Sequence, residues 1–91
     1  MSNNEKLEAA FLLCTKSVNN LKTRPSDEDL LFLYGHFKQA TEGNCNKSKP
    51  LFINFKECAK WDAWNKLLNL PKEEAMLLYI KKVKELFNSD N

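Results

Sequence analysis

Tyr34, Phe37 and Lys38 fall at helical spacing inside FLYGHFKQATEG, residues 32–43, and so share one side of a helix. A core-facing stripe has no use for a lysine, and a solvated face has none for two aromatic rings. A phenol, a ring face and an ammonium aimed the same way suit a flat heterocycle that carries phosphate. Rings stack on heterocycles, and ammonium groups hold phosphate oxygens as point charges. Lys60 repeats the theme beside Trp61 and four positions before Trp64. For the two tryptophans, ordinary core packing with Lys60 solvated beside them is the simpler expectation.

Catalytic patterns are lacking. His36 is the one histidine, and a helical histidine with no partner in the sequence is expected to pack or to face solvent. No G-x-S-x-G, H-E-x-x-H or P-loop spacing occurs. The carboxylates gather in first helical turns, where capping accounts for them. Three cysteines at 14, 45 and 58 include no C-x-x-C pair, so neither a disulfide framework nor a zinc site is suggested. Cys14 and Cys58 lie on apolar stripes and read as small buried hydrophobes, while Cys45 falls in a loop. These features describe a binding protein rather than an enzyme, with no metal and no cofactor.

The elements that must position these residues are four helices. Leu7, Phe11, Cys14, Val18 and Leu21 step by 3 and 4, the pattern of an amphipathic helix that ends near Leu21 because Pro25 cannot continue it. Ser26 then opens a second helix, with Asp27, Glu28 and Asp29 in its first turn and Gly43 as its stop. Leu30, Leu33, Tyr34, Phe37 and Thr41 follow at helical steps. GNCNKSKPLFIN, residues 43–54, has neither helical nor strand period, and Leu51, Phe52 and Ile53 predict that its second half packs down. Asn54 and Glu57 form a cap pair for a third helix carrying Cys58, Trp61, Trp64 and Leu68. Pro71 suits the first turn of a fourth, with Met76, Tyr79, Ile80, Val83 and Leu86/Phe87 as its stripe. Four helices without a strand signal make an all-α bundle.

Bulk properties agree with a binding module. The 91 residues suffice for one small domain, 1–91, with one modest core. The net charge of +2 is too weak for a protein that holds DNA or RNA through charge. Between His36 and Lys66, however, six lysines face three acidic residues, a local excess of +3 that suits a small anionic ligand. MSNNEKLEAAFLLC lacks the pattern of a signal peptide, and no stretch approaches a membrane span. A cytoplasmic monomer without stable membrane insertion is expected. Against a small-molecule ligand stands the alternative of a small helical protein-interaction module whose aromatic–lysine face meets an acidic partner.

PSDEDLLFLYGHFKQATEG, Pro25 to Gly43, resembles the signature stretch of the acyl-CoA-binding protein family. KWDAWN, Lys60 to Asn65, and EEAMLLYI, residues 73–80, resemble two further blocks, and the resemblance covers about residues 5–88. It implies an up-down-down-up skewed four-helix bundle with a long connection between the second and third helices. It also implies non-catalytic binding, buffering and transport of medium- to long-chain fatty acyl-CoA. By the same resemblance Tyr34, Lys38 and Lys60 would contact the phosphates, Phe37 would stack on adenine, Tyr79 would lie near the ribose and adenine, and Leu30 and Leu31 would line the acyl groove. Phenylalanine at position 37 keeps the ring face without a hydroxyl. In this family a first-helix lysine commonly reaches the ligand; its position here is Asn19, and Arg24 and Lys56 are the candidate replacements.

Overall fold

The computed structural model describes residues 2–90; Met1 and Asn91, the two ends of the expected domain, lie outside the described residues. Helices α1 (Asn3–Ser17), α2 (Asp27–Glu42), α3 (Phe55–Asn65) and α4 (Lys72–Asn88) form a bundle, and a 3-10 turn, Val18–Asn20, closes α1. No strand occurs among the described residues.

Local chemistry explains most of the boundaries. The Ser2 and Ser26 hydroxyls each accept a hydrogen bond from the backbone N–H three residues on, Glu5 and Asp29, at 3.1 Å. Both serines are extended, with ψ of 164° and 160°, which aims the side chain back over the first turn. Asn54 departs from expectation and makes no side-chain cap, because its ψ of 74° turns the amide away from that turn. Pro71 occupies the cap position of α4, one residue before its first turn. Gly43 ends α2 with φ of +81°, a left-handed backbone that disfavours a Cβ. Leu68 lies beyond the end of α3 and is exposed.

Contacts set the helix directions. Phe11 of α1 meets Tyr79 of α4 with ring centroids 5.1 Å apart, and beyond their ends the Lys22 and Thr23 amides donate to the Asp90 carboxylate at 2.7 and 3.0 Å. α1 and α4 therefore run the same way, and those two amides hold the Asp90 carboxyl below its usual range. Lys82, late in α4, pairs with Asp29 at the start of α2 at 3.4 Å, so α2 is antiparallel to α4. Leu30, Leu31 and Tyr34 face Phe55, Ala59 and Lys60 across one cleft, and further along Gly35 meets Ala63, so α2 and α3 are parallel. The order is up-down-down-up.

The core joins Phe11, Leu33, Ala40, Ala75, Tyr79 and Val83, with Cys14, Val18, Met76 and Ile80 packed against it. α2 contacts both α3 and α4, so its buried arc is wider than one stripe and takes in Gly35, His36 and Gln39. A Cβ at Gly35 would collide with the Ala63 carbonyl. His36 is 4% exposed; its Nδ1–H donates to the Phe32 carbonyl at 2.7 Å, and its ring stacks on Phe32.

A parallel α2–α3 pair needs a long return, and side chains from the helices pin it. The Trp64 indole donates to the Gly43 carbonyl at 2.8 Å, and the Trp61 indole donates to the Lys47 carbonyl at 2.7 Å. Gln39 Nε2 donates to Asn44 Oδ1 and the Leu70 carbonyl at 2.9 and 2.8 Å. The Cys58 thiol lies 3.3 Å from the Leu51 carbonyl, and the Asn54 N–H donates to that same carbonyl at 2.9 Å. These last contacts reach the backbone. The side chains of Leu51, Phe52 and Ile53 therefore do not pack down as expected but stand 71%, 80% and 63% exposed. Trp64 is 2% exposed and is core, as expected, while Trp61 is only half-buried.

Two outcomes follow from this packing. Trp64→Ala removes a buried ring and the N–H that holds Gly43, and should lower stability by about 3–5 kcal/mol in urea unfolding; a loss below about 1 kcal/mol contradicts a core role. Burial holds the His36 imidazole below its ordinary pKa; the Phe32 carbonyl opposes this, and the charges of Lys66 and Lys82 reinforce it. The unfolded chain then takes the proton more readily, so this contribution is intact above about pH 6.5 and is lost as the pH falls below it. His36→Asn should flatten the decline in stability between about pH 7 and 5.5; an unaltered slope contradicts the assignment.

Candidate functional site

An open cavity of about 470 Å³ runs between the first halves of α2 and α3. Leu30, Leu31 and Tyr34 form one wall and Phe55, Ala59 and the Lys60 stem the other, with Arg24, Asp27 and Lys56 at the rim. The size lies within the usual range for ligand sites, and apolar walls with a few charged groups are their usual make-up. Parallel helices make this possible, because the spacing 30, 31, 34 on one rod lies alongside 55, 56, 59, 60 on the other.

The rim is cationic but not uniformly free. Lys60 Nζ lies 4.9 Å from the centroid of the Tyr34 ring, a cation–π contact across the cleft, and 3.6 Å from a Glu57 oxygen. Arg24 pairs with Asp27 at 3.0 Å and also donates to the Pro25 carbonyl. Lys56 makes no ion pair among the described residues.

Lys38, one turn along α2 from Tyr34, does not line the cleft. Its ammonium lies 4.8 Å from the Trp64 ring centroid and is hydrogen-bonded to Glu42. That bond from Lys38 holds the Glu42 carboxyl below its usual range. A phosphate reaching Lys38 therefore meets an ammonium already engaged by a carboxylate.

Phe37 faces differently again. It stacks on Phe11 with centroids 6.0 Å apart and is tilted 6.5 Å from Tyr79, at the α1–α2–α4 edge. At 37% exposure it keeps surface open to solvent. Tyr79 is 5% exposed, and burial pushes its phenol pKa up. Of the nine residues singled out in the sequence, six thus meet at one cleft: Arg24, Leu30, Leu31, Tyr34, Lys56 and Lys60. Lys38 stands beside it, and Phe37 and Tyr79 belong to a separate ring cluster. Asn19 lies in the 3-10 turn, exposed.

Phe55, Ala59 and Asp27 are cleft residues that the sequence reading passed over. A signal existed for two of them. Phe55 and Ala59 step by 4 in parallel with Lys56 and Lys60, which marks a helix face half apolar and half basic. Among the described residues no cluster of His, Cys, Asp and Glu could hold a metal, and no helix is long and apolar enough to cross a membrane.

The profile of the family described as acyl CoA binding protein matches residues 8–83. An acyl-CoA-binding protein of Gossypium hirsutum is 49% identical over 83 residues, 91% of this chain and 93% of its own. The crystal structure of Oryza sativa acyl-CoA-binding protein 2 superposes with a TM-score of 0.91 at 40% identity, covering 94% of both chains. That of ACBP from Moniliophthora perniciosa gives 0.86 at 33% identity, covering all of this chain and 85% of that one. With both sequence and fold shared over nearly its whole length, this chain belongs to the acyl-CoA-binding protein family.

Proposed function

We propose that this chain binds fatty acyl-CoA esters of medium to long chain length and buffers and carries them in the cytoplasm, as a non-catalytic monomer whose single domain spans about residues 5–88. The observation that carries this reading is the joining of a cationic rim to an apolar trough in one cleft between α2 and α3. The head group bears about four negative charges, from a phosphate monoester and a diphosphate. The rim residues Lys56, Lys60 and Arg24, with Lys38 beside them, supply cations for it. Lys56 lacks the acidic partner that occupies Arg24, which makes it the stronger replacement for the lysine missing at Asn19. Phe37, stacked on Phe11 and 37% exposed, offers its open ring surface to adenine. Tyr79 acts from beneath, fixing Phe11 and Phe37 more than touching the ligand. The ligand-free interaction module is not favoured, given the family shared over the chain's length.

Energetics divide the labour. A hydrogen bond to a charged group contributes about 1.5–3 kcal/mol net. Each buried methylene contributes about 0.8 kcal/mol, so a dozen supply roughly 10 kcal/mol before ordering costs. The head sets identity and orientation, and the tail sets much of the affinity.

Isothermal calorimetry over a series of acyl lengths tests the reading. Affinity should climb with chain length and level off where the trough ends, whereas equal affinities throughout would contradict it. Lys60→Ala should weaken binding by one to two powers of ten, about 1.4 kcal/mol per decade, without a change in thermal stability. Glu42→Gln should strengthen it several-fold by freeing Lys38; an unchanged affinity would mean that Lys38 contributes nothing to holding the ligand.

A further inference from the structure

Leu51, Phe52, Ile53 and Phe55 expose between 63% and 80% of their surface, four large apolar side chains within five residues. Isolated exposed apolar residues are ordinary, but a contiguous group this apolar marks a surface that meets something. The turn's backbone is also tied down: the Asn54 N–H and the Cys58 thiol, at the start of α3, both meet the Leu51 carbonyl, while the side chains stand exposed.

We propose that the Leu51–Phe55 turn is a docking surface that seats reversibly in the interfacial layer of an anionic phospholipid bilayer, with the mouth of the cleft turned toward the lipid.

Charge selects this occupant. Lys47, Lys49, Lys56 and Lys60 flank the turn against Glu57 alone, an excess of +3 over residues 44–60. Lys47 and Lys56 make no ion pair among the described residues, and Lys49 pairs with Asp62 at 3.2 Å. Aromatic and aliphatic side chains ringed by lysines are the composition that lies in a headgroup layer, where each basic residue near an anionic surface adds to binding. A second copy of the chain is disfavoured, because a two-fold contact would set this basic segment against itself. The ligand's own tail does not cover the group either: of the four side chains only Phe55 lines the cleft, and Leu51, Phe52 and Ile53 stand outside it. Phe55 thereby joins the two surfaces, and an amphiphile leaving the bilayer at the turn would meet Leu30, Leu31 and Ala59 next. That functional link rests on the acyl-CoA reading; the docking itself does not.

The test is vesicle co-sedimentation of the full chain without acyl-CoA, alongside calorimetry with acyl-CoA in the absence of vesicles. Vesicles of phosphatidylcholine with about 30% phosphatidylserine should retain the protein at low salt, release it progressively as salt rises, and exceed pure phosphatidylcholine vesicles. Phe52→Ser with Ile53→Ser, neither of which lines the cleft, should lower vesicle partitioning by about ten-fold or more, since each removes a large inserted side chain. The same double variant should keep wild-type acyl-CoA affinity and melting temperature. Absence of wild-type partitioning at low salt overturns the proposal. So does equal partitioning of the double variant, or self-association in sedimentation velocity that the variant abolishes while vesicles bind neither form. Loss of acyl-CoA binding with vesicle docking intact would instead count against the proposed function alone.

Discussion

Gly35 brings α2 against the Ala63 carbonyl of α3, and this close parallel approach is the constraint on which the site depends. Two consecutive helices run parallel only if the chain crosses the length of the bundle between them. The connection from Gly43 to Asn54 makes that crossing with no regular structure of its own. It is held because α2 and α3 lend it donors: the indoles of Trp61 and Trp64, the amide of Gln39 and the thiol of Cys58. Backbone carbonyls of Gly43, Lys47 and Leu51 that no helix serves thereby gain donors. With the crossing fixed, the first halves of both helices end at the same side of the bundle, and the cleft opens between them.

The chemistry of the cleft then follows from what each helix face carries. α2 contributes aliphatic side chains at 30 and 31 and a phenol at 34, and α3 contributes Phe55, Ala59 and two lysines. The cations are not simply displayed. Lys60 leans on the Tyr34 ring, and Lys38 is engaged by Glu42 and laid over Trp64. Such contacts limit the side-chain freedom lost on binding an anion, at the cost of competing with it.

The fold was largely legible in the sequence because its signals are local. Ser26, Gly43 and Pro25 mark helix ends through backbone chemistry that needs no tertiary context, and the stripe on α4 reads at the expected spacing. The site was legible to the extent that its residues share a helix face: Leu30, Leu31, Tyr34, Lys56 and Lys60 do so and meet. What escaped depends on through-space packing. Gly35, Gln39 and Ala40 are buried because α2 serves two neighbours, which one-dimensional periodicity does not encode. Phe37 was grouped with Tyr34 by spacing alone, yet a difference of three residues turns it toward α1 and α4. The apolar run at 51–53 suggests burial by composition, whereas α3 engages only the backbone of the turn and leaves those side chains exposed.

That the tail lies between α2 and α3 is tested most directly by comparing amide chemical-shift changes on adding free CoA with those on adding dodecanoyl-CoA. The shifts that appear only with the tail should fall on Leu30, Leu31, Phe55 and Ala59 and their immediate neighbours. Tail-specific shifts gathered instead around Glu8, Leu12 and Met76, at the smaller cavity between α1, α2 and α4, with the α2–α3 residues unmoved, would contradict the assignment.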